Sequence, residues 1–413
     1  MAKIRNLCVF VFGTVAAFGQ STPTSLQSLI AEARQRNAAI KAAESAIETT
    51  HYMPKQASAL PDTEVMVQHF TVGSPRPFAG YSNSDFAYIG FGASQELPYP
   101  GKRALRANVA QHEIAISGAE KNSVVWNVLN RLKLAYFQLA ASQNTISVIE
   151  KNQQIADQIE QGAEARYRVG EGMQQDVLRS QLQRTKLLNE LSMQRRESAQ
   201  AQVVLKALLN RPAESADIVA EPLSARHIPD YDALIAELRE HNPELQVSAE
   251  QVSQQHAAVE LAKREKKPDF GVQYMWQHTA DNFRDYYMGT FSIKLPNRSR
   301  VRAAEGESQA KLAQAEAEKE SRLKQMESDL GEQLAIVQIS EQQLKVYEEG
   351  LIPQSEAALN AGLAGYRAGK QEYQGLLASF ADTLQLSIDR ERALAEHETA
   401  IARIESLIAE ELQ

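Results

Sequence analysis

The chain has 413 residues, with 44 basic and 52 acidic side chains, a formal net charge of -8, and only 20 glycines and 14 prolines. The acidic balance argues against nucleic acid as a partner. Ala, Glu, Gln, Leu, Arg and Lys dominate roughly 100–210 and 297–412, a composition that predicts mostly helix.

The first residues place Lys3 and Arg5 before an apolar run from Leu7 to Phe18, then the small residues Ala17 and Gly19 before Gln20. This is the pattern of a secretory signal peptide over 1–19. No later segment approaches the roughly 20 apolar residues that a spanning helix needs. Cys8, the only cysteine, lies inside the apolar run rather than at the cleavage point, which speaks against a lipid anchor. Cleavage before Gln20 leaves no cysteine, and hence no disulfide or thiolate metal site. It also removes two basic residues, so that 42 against 52 gives -10.

Beyond the signal the chain is written twice. SLIAEARQRNAAI from Ser28 returns as ALIAELREHNPEL from Ala233, pairing Leu29 with Leu234, Glu32 with Glu237 and Asn37 with Asn242 at an offset of 205. GFGASQELP from Gly90 matches MGTFSIKLP from Met288 at 198, and ARYRVG from Ala165 matches AGYRAG from Ala364 at 199. Each half reads as a short amphipathic helix, two strands, a turn at Pro98 or Pro296, a very long helix, a Tyr-Arg-x-Gly break and a returning helix. The repeats span 20–209 and 231–413, and Pro212, Pro222 and Pro229 mark 210–230 as the linker.

In chain order the strands fall at about 63–72, 86–97, 270–277 and 286–295. Phe270, Val272, Tyr274 and Trp276 alternate with Gly271, Gln273, Met275 and Gln277, the period of a strand with one apolar face. In the fourth, Tyr287, Phe291, Ile293 and Leu295 share a face opposite Thr290, Ser292 and Lys294. The first two alternate poorly and leave their faces open. Aromatic residues gather here, and Phe86, Tyr88, Phe91, Trp276, Tyr286 and Tyr287 are the candidates for the interfacial girdles of a membrane barrel; a soluble sheet core is the other explanation. Four strands cannot close a barrel in lipid, so copies must pool theirs: two chains give eight strands, three give twelve and room for a channel.

From Lys102 to about Arg168 there is no proline, and these 67 residues would extend about 100 Å if continuous at about 1.5 Å per residue. The second half repeats this from Arg298 to about Arg367, interrupted only by Pro353. Val125, Leu129, Leu132, Tyr136 and Leu139 have helical spacing, which predicts antiparallel, coiled-coil-like hairpins folded at the Tyr-Arg-x-Gly breaks.

These features together resemble the TolC family of outer-membrane efflux proteins over the whole mature chain. SQELPYPGKRALRA from Ser94 is similar to the strand-to-helix segment of the CzcC-like, heavy-metal efflux branch. The resemblance implies a fold that is mainly α with a transmembrane β part: a homotrimer forming a 12-stranded barrel in outer-membrane lipid and an α-helical tunnel in the periplasm. It also implies docking on a periplasmic adaptor (membrane fusion) protein and an inner-membrane pump of the resistance-nodulation-division type. The family's tunnel-end turns resemble RYRVGEGMQQDVL from Arg166 and GYRAGKQEYQGLL from Gly365. By that match Tyr167, Arg168, Gly170, Asp176, Tyr366, Arg367, Gly369 and Glu372 are the docking and gating candidates, with Asp176 expected to pair with an arginine of a neighbouring hairpin. Where some relatives carry a ring of carboxylates, this chain has Gly375 and Ala378, and Glu372 is the nearest substitute.

No enzyme chemistry stands out. The eight histidines form no HExxH motif or i, i+4 pair, and no phosphate loop, dinucleotide fingerprint or GxSxG elbow occurs, so no catalytic, cofactor or metal site is expected. His69 and His278, with Met66 and Met275 nearby, read as lining of a polar lumen in preference to a metal contact. The competing readings are a periplasmic coiled-coil adaptor or scaffold, or the same duct serving drug efflux or type I protein secretion.

Overall fold

The computed structural model describes residues 23–71, 87–279 and 284–412. The expected signal peptide with Cys8, and the girdle candidate Phe86, lie outside these residues. The first half runs α1 (Leu26–Arg36), α2 (Ala38–Thr50), α3 (Met53–Ala57), β1 (Glu64–Phe70), β2 (Tyr88–Leu97), α4 (Lys102–Arg168) and α5 (Gln174–Leu208). The second runs α6 (Tyr231–His241), α7 (Pro243–Arg264), β3 (Asp269–His278), β4 (Tyr286–Lys294), α8 (Arg298–Val346), α9 (Ile352–Arg367) and α10 (Tyr373–Ile408). The single amphipathic helix expected at the start of each half is two or more. Asn37 ends the first helix and caps the next, its Oδ1 accepting from Ala39 N (2.9 Å) and Ile40 N (3.3 Å), and its repeat partner Asn242 accepts from Leu245 N (2.9 Å). Between α8 and α9 lies a π-helical turn, Tyr347–Leu351. Pro353 accounts for it, since a proline has no N–H to donate and its ring clashes with the carbonyl of Glu349, four residues earlier.

The fold divides into two compact units, each built from both repeats. One comprises the described part of 1–32 with 132–224 and 344–395. Its core joins Ile149, Ala156, Ile159 and Ala163 of α4 to Leu187 and Leu191 of α5, and Leu359 of α9 to Leu376, Phe380, Leu384 and Ile388 of α10. The spacings of three, four and seven residues put each set on one helix stripe. The irregular linker backbone in this unit is satisfied by side chains, as buried backbone must be. Gln202 both accepts from Ile218 N (3.0 Å) and donates to Ile218 O (2.6 Å), and the Tyr136 hydroxyl accepts from Glu221 N (2.9 Å) and donates to Thr24 O (3.0 Å).

The other unit comprises 33–131, 225–343 and the described part of 396–413. Here Leu234, Leu238 and Leu245 pack with Leu330 and Val337 of α8 and Ile401, Ile404 and Ile408 of α10. Arg226 ties the linker down, bonding Glu398 Oε2 (2.7 Å), Glu405 Oε1 (2.9 Å) and Leu412 O (3.1 Å). This unit also holds the sheet, four antiparallel strands in the order β1-β2-β3-β4. The strand-to-helix turn after β2 is set by Gly101 at φ 92, and the buried Lys102 ammonium pairs with Asp269 and Glu265, each at 3.0 Å. Among the described residues no helix is long and apolar enough to cross a membrane.

Candidate functional site: the sheet faces and the hairpin turns

The register decides what each side of the sheet shows, because residues directly opposite on paired strands project to one side. Val67, Phe91, Trp276 and Tyr287 form one row, and Gln95, Val272 and Phe291 another, on the same side. That side is apolar and bare: Val65 is 76 % exposed, Tyr287 66 % and Phe291 64 %. Exposed apolar area of this extent marks a surface built to meet something other than water. Aromatic rings line it from end to end, with Tyr274 of β3, 56 % exposed, standing between Trp276 and Phe270. Phe91 stacks on Trp276 at 6.1 Å near the loop end, and Phe270 stacks on Phe291 at 5.8 Å and on Tyr99 at 6.4 Å near the helix end. Trp276 and Phe270 are about 20 Å apart along β3, at about 3.3 Å per residue.

The opposite side carries Glu64, Gln68, Gln273, Gln277 and Thr290, with gaps at Gly90, Gly92 and Gly271. Across the Gly271 gap, Lys294 Nζ reaches Glu96 Oε2 at 2.7 Å. The faces of β1 and β2, open from sequence, are thereby assigned. Of the girdle candidates, Phe91, Trp276 and Tyr287 share the apolar side, whereas Tyr88 and Tyr286 stand on the polar side, Tyr88 stacked on Phe70 at 5.7 Å. The structure overturns the expectation that His69 and His278 line a polar lumen: with Ile89 they make one row of the apolar side, away from Met66 and Met275. His278 Nδ1 lies 2.7 Å from Asp285 Oδ1, and Asp285 Oδ2 accepts from Trp276 Nε1 at 3.1 Å.

Among the described residues, strands β1 and β4 are paired on one side only, so each presents an open edge. The unpaired backbone groups along such edges are a template for another strand.

The hairpin turns form the second candidate region. Gly170 (φ 79) and Gly369 (φ 69) adopt the left-handed conformation that lets each helix reverse. Around them a cleft of about 350 Å³ is lined by Arg166, Asp176, Tyr366, Lys370, Glu372 and Tyr373, among others. Tyr366 is buried, edge-on to Tyr373 at 5.9 Å, and Arg166 covers it: its guanidinium carbon sits 5.1 Å from the ring centre and Nη1 donates to Tyr366 O at 3.2 Å. Burial pushes the Tyr373 phenol up to about 12 and raises Tyr366 as well. Arg367 donates to Gln158 Oε1 at 3.3 Å. Tyr167 and Arg168 are exposed, as is Glu372, and Asp176 is partly buried in the first turn of α5 with no ion pair among the described residues.

Sequence reasoning passed over Arg166, Tyr373 and Gln371. The last fills the space left by Gly362, Gly365 and Gly375, whose added Cβ atoms would meet its side chain at 3.4, 3.0 and 3.1 Å. The close spacing of Gly362 and Gly365 just before the break was the available signal. Among the described residues, no group of three or more His, Cys, Asp or Glu side chains is placed to hold a metal ion.

A sequence model of the family described as outer membrane efflux protein matches residues 29–211. No curated protein matches the chain. Among solved structures, the outer-membrane channel OprN superposes with a TM-score of 0.79 at 15 % identity, covering 94 % of this chain and 90 % of that one. The outer membrane protein VceC from Vibrio cholerae gives 0.79 at 17 %, covering 94 % and 97 %, and the transmembrane channel protein CusC gives 0.79 at 12 %, covering 95 % and 93 %. The fold is thus that of the TolC-like channels, and residues 29–211 carry the sequence pattern of the outer membrane efflux protein family.

Proposed function

We propose that the protein is the outer-membrane channel of a tripartite efflux system, conducting substrate passively from an inner-membrane pump and a periplasmic adaptor to the outside. One observation carries this reading: a four-stranded sheet whose apolar, aromatic-rich side is exposed and whose two edges are unpaired among the described residues. In lipid such a sheet must close with copies of itself, and three copies give twelve strands with the glutamine and glycine side turned to a lumen wide enough to pass solutes. On this reading residues 1–19 are a signal peptide that directs export. The exposed Tyr167, Arg168 and Glu372 are the adaptor-docking surface, and Asp176 finds its cationic partner on a neighbouring protomer. The driving energy comes from the pump, as nothing in the sequence resembles a nucleotide site. Heavy-metal cations are the proposed cargo, on the likeness of the Ser94 segment to the CzcC-like branch.

The test is direct. Membrane fractionation should place the mature protein in the outer membrane as a heat-modifiable trimer that conducts ions in a planar bilayer. A water-soluble monomer in the periplasm would overturn the channel reading and favour a coiled-coil adaptor.

A further inference from the structure

We propose that a row of methionines across the polar side of the sheet is a binding site for a soft monovalent cation, Cu(I) or Ag(I). The register sets Met66, Gly92, Met275 and Met288 directly opposite one another on four successive strands. Three of the chain's eight methionines thus stand in one rung. The rungs on either side hold Gln68, Gln277 and Tyr286 on one and Glu64, Ser94, Gln273 and Thr290 on the other, so the thioethers interrupt a mostly polar surface and do not extend the apolar side. Met275 is buried over the glycines of β2, whereas Met66 and Met288 remain partly open to the polar side.

The local geometry brings the sulfurs towards polar neighbours. Met275 lies over the two glycines of β2: Cβ atoms added at Gly92 and Gly90 would come within 3.1 Å of its Cε and 3.6 Å of its Sδ. The glycine gap therefore lets this side chain lean across β2, on whose far side Met66 stands. Met66 Sδ accepts from Gln273 Nε2 at 3.4 Å, and Met275 Sδ from Gln277 Nε2 at 3.5 Å. The set grades inward from Met288, 44 % exposed, to the half-buried Met66 and the fully covered Met275.

Thioethers are neutral, soft donors that select Cu(I) over the harder divalent ions preferred by carboxylate or imidazole. They need no deprotonation, so binding releases no proton and stays flat across neutral pH, unlike a histidine or cysteine site. The usual role of methionine is to fill irregular gaps. Leucine does that equally well at similar volume, and the substitution separates packing from ligation. Access of the cation from water rests on the channel reading, because that reading turns this side of the sheet to a lumen; the sulfur set itself does not.

The experiment titrates the purified full-length mature protein in detergent with Cu(I), in competition with bathocuproine disulfonate, and records the copper K-edge spectrum. Sulfur neighbours are expected at the copper. Met66→Leu and Met275→Leu should each weaken binding by at least about tenfold, while Met326→Leu, on α8, leaves it unchanged. Trimer migration is read in parallel. Trimeric Leu variants that hold Cu(I) as tightly as the parent overturn the proposal, as does a parent that holds none. A monomeric parent overturns the channel reading instead, and the titration still decides the sulfur site.

Discussion

Tyr167 and Tyr366 occupy the same place in the two repeats, yet Tyr167 is 47 % exposed and Tyr366 only 6 %. The difference lies in their neighbours. Tyr366 has Tyr373 on one side, Arg166 over its ring, and Gly162 so near that an added Cβ there would stand 3.5 Å from its Cε1. The repeat puts Gly365 where Arg166 stands, so the covering cation exists in one turn only.

The two tyrosines should therefore fail differently. Tyr366→Ala removes a buried aromatic and should cost about 3–5 kcal/mol, read as a lower thermal midpoint, with Arg166→Ala costing less. Tyr167→Ala should leave stability within about 0.5 kcal/mol and reduce adaptor capture in cross-linking. Equal destabilisation by both tyrosine variants would contradict the asymmetry.

Alkaline pH should act on the same turn through Tyr373. Its phenol is held neutral by burial up to about 12, above the ordinary value of about 10. The raised folded value means that its contribution is complete below about pH 10 and is lost as pH rises through about 12. Difference absorbance at 295 nm between the parent and Tyr373→Phe should show one tyrosine titrating late. Tyr366, raised as well, stays in both spectra and cancels; a difference spectrum with no late component would assign the shift away from Tyr373.

The Arg226 clamp has the opposite sign. Burial alone would raise Glu398, but the His397 ring and the Arg226 guanidinium together hold it below the usual carboxylate range. The stability it supplies is complete above the ordinary value of about 4.3 and is lost as pH falls through the lowered one. Arg226→Ala leaves buried carboxylates without their cation and should cost about 3–5 kcal/mol at neutral pH. Thermal midpoints of parent and variant should converge in acid; a constant gap would remove Glu398 from the account.

Long-range periodicity was legible in the sequence, and local partnerships were not. The limits of α4 follow from the absence of proline after Lys102 and the glycine past Arg168, both visible in the bare chain. The π turn at Tyr347–Leu351 had its cause in plain sight at Pro353, but a proline alone does not say whether a helix kinks, ends or widens. The faces of β1 and β2 were hidden because Gly90 and Gly92 put no side chain on the polar side, which erases the alternation that β3 displays. His69 shows its side only through its pairing with Ile89, whereas His278 follows Trp276 in the alternation that β3 already displays. The burial of Tyr366 depends on Arg166, about 200 residues distant, and no local pattern carries that information.

The glycines of the sheet offer the sharpest test of which side faces what. A Cβ at Gly92 would lie 3.0 Å from the Tyr274 carbonyl oxygen and 3.1 Å from Met275 Cε, so a side chain there pushes on a backbone that cannot yield and on the methionine lying across the gap. Gly92→Val should cost about 1–3 kcal/mol through overpacking and lower the temperature at which the trimer dissociates on a gel. Gly289, on the apolar side beside Tyr274, has nothing within 4 Å. Gly289→Val adds branched apolar surface to an open strand position, which favours the strand; on the channel reading that surface meets lipid instead of water. Its trimer should dissociate at or above the parent temperature in detergent, and the variant should insert normally into the outer membrane. If Gly289→Val instead aggregated or failed to insert while Gly92→Val behaved as the parent, the two sides of the sheet would have been assigned the wrong way round, and the lumen with them.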